Sequence, residues 1–334
     1  MRNISLAFAL FIAFILAGCS SSSSSTVTSD ETIDEPSVDQ TDVVSETPDD
    51  NDAPDSNPVE IDTPISNPLD GIGAVQRIGS DFGFLEGPVY SPSDNSLLFS
   101  DIPEDTIFQL QADGSIEAFR ENQPTNGLLF DAQNRLLIAT HSGRTLSRLE
   151  ESGDVTVLAD NFEGALLNSP NDIALHSNGD MYFTDPPFGI DPAISEVGCA
   201  GVYRLTADGN LSRFWCNGID TRPNGIALSP NQDRVYVSFS FSGEILSWPL
   251  MPDGSVGEVE MFATTAGSAD GMVIDDEGNL FVTTAAGVEV FSPDGTLWGE
   301  IGVPEQVTNC TFGGPGGNTL FITGRTALYT VELM

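Results

Sequence analysis

Six polar residues, Glu86, Asn126, Asn171, Asn224, Asp270 and Asn309, recur at intervals of 39 to 53 residues, and each opens a short apolar run. Brought together, two carboxylates and four amides make a donor set for a hard divalent cation, which takes carboxylate, amide and carbonyl oxygens in flexible geometry. Such an ion polarises an ester carbonyl, and a carboxylate beside it can take a proton from water. Asp270 is the candidate base, and Glu86 is the other carboxylate of the set. Any one of these residues alone reads as turn chemistry, because Asn-Gly and Asp-Gly are common turn dipeptides. Six in register point to a site.

Other reactive side chains are few. Of the two histidines, His176 sits in the turn HSNGD and reads as solvated, whereas His141 follows LLIAT at the place held by Asp101 in FSD and by Asp185 in FTDPP. His141 and Asp185 are therefore expected near the openers, as groups that touch substrate or orient water; the alternative is that they satisfy loop backbone. Phe82, Phe84, Phe188, Phe239 and Phe241 either line an apolar entrance or pack between strands. No G-x-S-x-G elbow is present, which argues against a serine esterase of the α/β-hydrolase type.

The elements that would position these residues are strands. From residue 72 onward, short alternating apolar runs are separated by Gly, Asp, Asn and Pro turns, with no sustained helical period. Each phrase reads as an opener, two strands around a tight turn, a third strand, an Asp-Gly-type turn and a fourth strand. The second turns include ADGS (112–115), ADGN (207–210) and PDGT (293–296). Units of this length fit propeller blades and are too long for single hairpins. The sixth phrase supplies only three strands, so VQRIGSDF (75–82) is expected to complete it and close an all-β, six-bladed propeller over 72–334. The first strand of a blade lies beside the central channel, which would gather the six openers at one mouth.

The stretches EGPVY (86–90), LNSPNDIALHSNGDMYFTDPPFGI (167–190), RPNGIALSPNQDRVYVS (222–238), DGMVIDDEGNLFVT (270–283) and TNCTFGGPGGNTLFIT (308–323) resemble the gluconolactonase branch of the regucalcin and senescence-marker lactonase family. The resemblance spans about 75–334. It implies a six-bladed propeller holding one divalent ion, usually calcium, with zinc, manganese or magnesium as alternatives. By motif, the metal ligands fall on Glu86, Asn171, Asn224 and Asp270, and Asn126 and Asn309 occupy analogous places as further metal, water or substrate contacts. It also implies hydrolysis of a lactone, a sugar lactone such as gluconolactone first among them. The arginine that the vertebrate branch carries two positions before the SPND-type asparagine is Ser169 here, which separates this chain from that branch's sugar-acid specificity. Phosphotriester hydrolysis and a non-catalytic ligand-binding propeller are the competing readings.

Composition bounds the setting. The chain has 334 residues with 11 basic and 50 acidic side chains, for a formal charge of −39; every basic residue is arginine. Such a surface repels phosphate backbones and argues against nucleic-acid partners. It suits a salt-rich environment that screens self-repulsion. Arg2 and the apolar run Ile4 to Leu16 read as a signal peptide over 1–18, ending in LAGC, the pattern of a bacterial lipoprotein whose Cys19 is lipidated. Ser20 favours the outer membrane, facing periplasm or cell surface. Residues 19–71 are rich in Ser, Thr, Asp, Glu and Pro, as a flexible acidic tether would be. A monomer acting on a small molecule is expected. If Asp208-Gly209 turns a hairpin, Cys216 faces position 201 with Cys199 two residues beyond, so a bridge between them is sterically open; Cys310 is left over.

Cys19→Ala is expected to leave an unprocessed or misdirected precursor. Cell fractionation checks this, and a mutant that matures and partitions like wild type would remove the lipoprotein reading.

Overall fold

Five of the six sequence repeats fold as a four-stranded antiparallel sheet whose strands are hydrogen-bonded in chain order, and the sixth supplies three strands of another, in the computed structural model, which describes residues 66–333. The Asp-Gly turns work as their sequence requires: Gly114 and Gly209 adopt φ +87° and +89°, a region L side chains rarely enter. The inner strands of blades 1 to 6 are Leu85–Ser91, Leu128–Phe130, Ile173–Leu175, Pro223–Leu228, Ala269–Ile274 and Val307–Gly313. Regular helix is absent among the described residues apart from one 3-10 turn, Pro192–Ile194. That turn lies in the long connection after the second strand of blade 3, which accounts for the widest interval between openers. The expected leader, Cys19 and residues 19–65 of the tether lie outside the described residues.

Hydrophobic burial is distributed over six seams between neighbouring blades. Val89, Leu98 and Ile107 of blade 1 pack against Leu128, Leu136 and Ile138 of blade 2. Leu137 and Leu146 meet Ile173, Phe183 and Tyr203 at the next seam, and Leu85 and Phe99 meet Phe321 and Leu328 where the ring closes. Alternate residues of each strand face opposite neighbours, so both faces of a blade are apolar. A blade therefore cannot cover its own surface alone, and stability depends on completing the ring.

Closure comes from the segment that the strand count calls for. Gln76–Ser80 pairs antiparallel with Ala327–Glu332 as the outer strand of blade 6, joining the two ends of the propeller in one sheet. Leu69, placed by composition in the tether, packs with Ile72 and Val75 against the cluster around Val290, Leu320 and Val331, so ordered packing begins a few residues ahead of 72.

Removing the residues up to Phe82 strips the outer strand and exposes that seam. Relative to a chain beginning at Ser66, we expect Tm to fall by about 10 °C or more, since each kcal/mol moves Tm by about 2–4 °C at this size. Equal melting temperatures in a thermal scan would contradict closure by the terminal strand.

Candidate metal centre

The inner strands crowd one another at the axis, and glycine follows four of the openers for that reason. A Cβ on Gly87 would fall 2.0 Å from the Asn126 carbonyl oxygen, and one on Gly271 would fall 2.1 Å from the Asn309 side chain. The ladder is interrupted at the same places. Register shifts lie between Glu86 and Val89, Pro223 and Ile226, and Ala269 and Met272. A bulge turns a side chain out of the pleat's alternation, and here the bulges present Glu86, Asn224 and Asp270 at the channel.

Backbone groups released by the bulges need partners. Hydroxyls near the end of the second strand in four blades, and that of Thr308 on the inner strand of blade 6, supply them by reaching to the next blade. Ser100 Oγ donates to the Asn126 carbonyl at 2.6 Å, Thr184 Oγ1 to that of Asn224 at 2.6 Å and Thr283 Oγ1 to that of Thr308 at 2.8 Å. Ser238 Oγ donates to the Asp270 carbonyl, and Thr308 Oγ1 to that of Leu85 at 2.6 Å. Blade 2 has Ala139 at this position, and there the backbone substitutes: Gly127 N donates to the Asn171 carbonyl at 2.8 Å. The openers are thus joined blade to blade in a nearly continuous belt.

All four residues assigned as ligands lie on this belt: Glu86, Asn171 and Asn224 are buried and Asp270 is partly so. A third carboxylate, Asp172, joins them. Its oxygens accept from Ile173 N at 2.9 Å and Ile226 N at 3.2 Å, so it braces the bulge after Asn224 and lines the channel beneath the ring. Sequence reasoning passed over it because its neighbour Asn171 holds the repeating position; the Asn-Asp pair was the available signal.

Burial dominates the electrostatics. It pushes Asp270 up to about 8 and Asp172 to about 6, with Asp172's charge adding to the rise at Asp270. Glu86 is raised well above the usual carboxylate range by burial, then by the charges of Asp270 and Asp172. No arginine forms a salt bridge with any of the three among the described residues. Asp270 Oδ1 and Asn126 Oδ1 are buried without a hydrogen-bond partner. Unpartnered oxygens and uncompensated carboxylates are what a bound divalent ion would satisfy. No cluster of three His, Cys, Asp or Glu side chains poised to share an ion occurs among the described residues, so a hard ion here would draw on mixed carboxylate and amide oxygens.

The structure separates residues that the sequence treats alike. Asn126 offers a free oxygen to the ring, whereas Asn309 spends its Oδ1 on Cys310 N at 2.8 Å and turns its Nδ2 toward Glu86 Oε2 at 3.4 Å, so it orients that carboxylate. Asp185, proposed as a catalytic group, has a different task. Its oxygens accept from Asn168 N and Ser169 N, both at 2.8 Å, pinning the loop ahead of Asn171, as Asp101 pins Gly83 and Phe84. Burial raises Asp185 to about 7. The position equivalent to Asp101 and Asp185 in blade 2 is Thr140, the last residue of Leu136–Thr140, and His141 lies one beyond it. His141 packs against Gly189, where an added Cβ would come within 2.8 Å of Nδ1, and burial lowers its pKa. Phe239 is core, and Phe82 packs on Phe99 and Phe108. Cys199 and Cys216 are bonded, with Gly201 opposite Cys216, and Cys310 is buried with its thiol pKa raised by burial.

Residues 84–326 match the sequence model of the SMP-30/Gluconolactonase/LRE-like region. A gluconolactonase of Zymomonas mobilis is 33% identical over 287 residues, covering 76% of this chain and 80% of its own. Among solved structures, a gluconolactonase of Xanthomonas campestris superposes with TM-score 0.73 at 33% identity, covering 78% of this chain and 89% of that one. A calcium-binding regucalcin of Agrobacterium tumefaciens shares the fold, with TM-score 0.66 at 19% identity, covering 79% and 96%.

Binding a divalent ion requires Asp270 as the carboxylate, and a group raised to about 8 is ionised only above that pH. Cation binding at pH 7 therefore displaces a proton, and affinity should climb with pH through about 8, by about tenfold per unit for Asp270 and further for Glu86, which is raised as well. Calorimetric titration across that range checks the slope, which Asp270→Asn should reduce; a wild-type affinity independent of pH would count against the assignment.

Proposed function

The chain belongs to the SMP-30/gluconolactonase/LRE-like family, and on that premise we propose that it hydrolyses sugar lactones at a calcium ion held by Glu86, Asn171, Asn224 and Asp270. The observation that carries this reading is the buried, unpartnered Asp270 Oδ1 among three carboxylates that lack a balancing cation. Calcium is favoured by donor chemistry, since oxygen-only sets with several neutral amides suit a large hard ion better than zinc.

A bound divalent ion would polarise the lactone carbonyl and stabilise charge developing on its oxygen. The chain's own groups handle the rest. Asp270 takes a proton as the water oxygen bonds to the carbonyl carbon, and returns it to the ring oxygen when the carbon–oxygen bond of the ring breaks, so the carboxylate is regenerated. Glu86 supplies charge, held in place by Gly87 N at 3.2 Å and by Asn309. Asn171 and Asn224 add neutral oxygens, the latter with its amide nitrogen donating to Ser240 Oγ at 2.9 Å. His141, kept neutral by burial, stands beside the loop 186–189 as a group for substrate contact.

The address is proposed from sequence alone: LAGC and the serine run after it support a lipid-anchored protein on a bacterial membrane.

Asp270→Asn should reduce kcat on gluconolactone by about 10²–10⁴-fold, the range for a general base, while retaining some metal. Glu86→Gln should weaken calcium binding and recover partly in excess calcium; Asn171→Ala and Asn224→Ala should do so more mildly. A lactone panel run with and without chelator tests the set. Turnover that survives chelation, or hydrolysis of phosphotriesters with no lactone accepted, would overturn the proposal.

A further inference from the structure

The rim of the site carries a cation without a matched anion. Arg222 immediately precedes Pro223 and Asn224, is only 9% exposed, and sits at φ +52°, where non-glycine residues are uncommon. It is fixed to the ring: its carbonyl accepts from Ser240 N at 3.1 Å, and Ser240 Oγ accepts from the Asn224 amide. Its guanidinium carbon lies 5.4 Å from the ring centroids of both Phe188 and Phe241. These rings are 37% and 70% exposed and come from different blades. Gly189, next to Phe188, donates its N–H to Ser169 Oγ at 2.8 Å, two residues before Asn171. The cation therefore sits between two loops that hydrogen bonds tie to the segments carrying Asn171 and Asn224.

Its free donors are specific. Nη1 is committed to the Ile219 carbonyl at 2.6 Å. Nε is buried and has no partner, and the only carboxylate near Nη2 is that of Asp220, 4.0 Å away on a residue whose side chain is 83% exposed. Nε–H and Nη2–H share one edge of the guanidinium plane, the edge that grips two coplanar oxygens. The aromatic rings flank the group, and this fork is the part whose donors are unused. An unpaired buried charge is costly and is ordinarily completed by an anion. In a chain of charge −39, whose channel holds three carboxylates, an anionic substrate needs such a cation to approach.

We propose that Arg222, flanked by Phe188 and Phe241, docks a carboxylate borne by the substrate, so that the preferred lactones are those of dicarboxylic sugar acids. The proposal rests on the lactonase reading and names its substrate class. Adjacent neutral hydroxyls would occupy the same fork more weakly, and the experiment separates the two.

Binding of D-glucarate and D-gluconate to the calcium-loaded protein is measured by calorimetry, alongside kcat/KM for D-glucaro-1,4-lactone and D-glucono-1,4-lactone. Wild type should bind glucarate at least tenfold more tightly than gluconate. R222Q should erase that preference and lower the glucaro-to-glucono kcat/KM ratio at least tenfold, and R222K, which keeps the charge but loses the fork, should retain only part of it. F241A should lower the preference several-fold. Equal affinity for the two acids in wild type, or a preference that R222Q leaves intact, would overturn the proposal; if R222Q does not fold, full retention of preference by R222K overturns it. Arg222-dependent glucarate binding in a protein that turns over no lactone would uphold the anion site and refute the lactonase reading instead.

Discussion

Crowding of six chain segments around one axis is the constraint on which the rest depends. Inner strands that approach closely enough to leave no room for a Cβ at Gly87 or Gly271 cannot keep a regular ladder there. The resulting bulges put the openers into the channel, and hydroxyls from Ser100, Thr184 and Ser238 claim the carbonyls of Asn126, Asn224 and Asp270 across the blade boundaries, while Thr283 and Thr308 claim those of Thr308 and Leu85, each one residue ahead of an opener. The same contacts that hold the ring together thus set the backbone positions of the site. A scaffold that fixes its ligands from behind leaves their side-chain oxygens free to face a cation.

The electrostatics follow from this placement. Burial alone disfavours charge on Glu86, Asp172 and Asp270, and their proximity adds to it. Folding without a cation therefore stores unfavourable interactions at the axis, which the apolar seams between blades must outweigh. The contrast with Asp101 and Asp185 is informative. These are buried as well, yet each accepts two backbone N–H groups and is locally satisfied. Asp172 likewise accepts two backbone N–H groups, so among the three channel carboxylates it is Asp270, with Oδ1 unpartnered, that most lacks an internal partner.

The mouth is assembled from connections that vary between blades. The long connection of blade 3 is tied back by the Cys199–Cys216 bond and by Asn168, whose amide donates to the carbonyls of Asp185 and Cys199. That bracing holds Phe188 and Gly189 near Arg222 and His141 without contributing to the ring. Variation in this region can change the substrate while the ring stays constant, which is how one fold serves several chemistries.

Local periodicity determined much of this protein. Alternating apolar runs, Asp-Gly turns and six openers in register specify blades, their number and the gathering of Glu86, Asn171, Asn224 and Asp270, because strand alternation and turn geometry are short-range properties. The count of strands likewise required 75–82 to close blade 6, and the pairing of Gln76–Ser80 with Ala327–Glu332 follows that count. Hairpin register alone brought Cys199 within reach of Cys216. What only the tertiary structure decided is how equivalent residues differ: Asn126 with a free oxygen against Asn309 with a committed one, Asp185 as a loop brace, Asp172 as a third carboxylate, Arg222 between two rings. Some of those distinctions depend on groups that arrive from another blade, as Ile226 N does at Asp172, 54 residues away in sequence, and Phe188 at Arg222; others depend on how a loop folds back within its own blade, as at Asp185 and Asn168. No short-range periodicity encodes such partners, since they exist only once loops have folded back and blades have packed together.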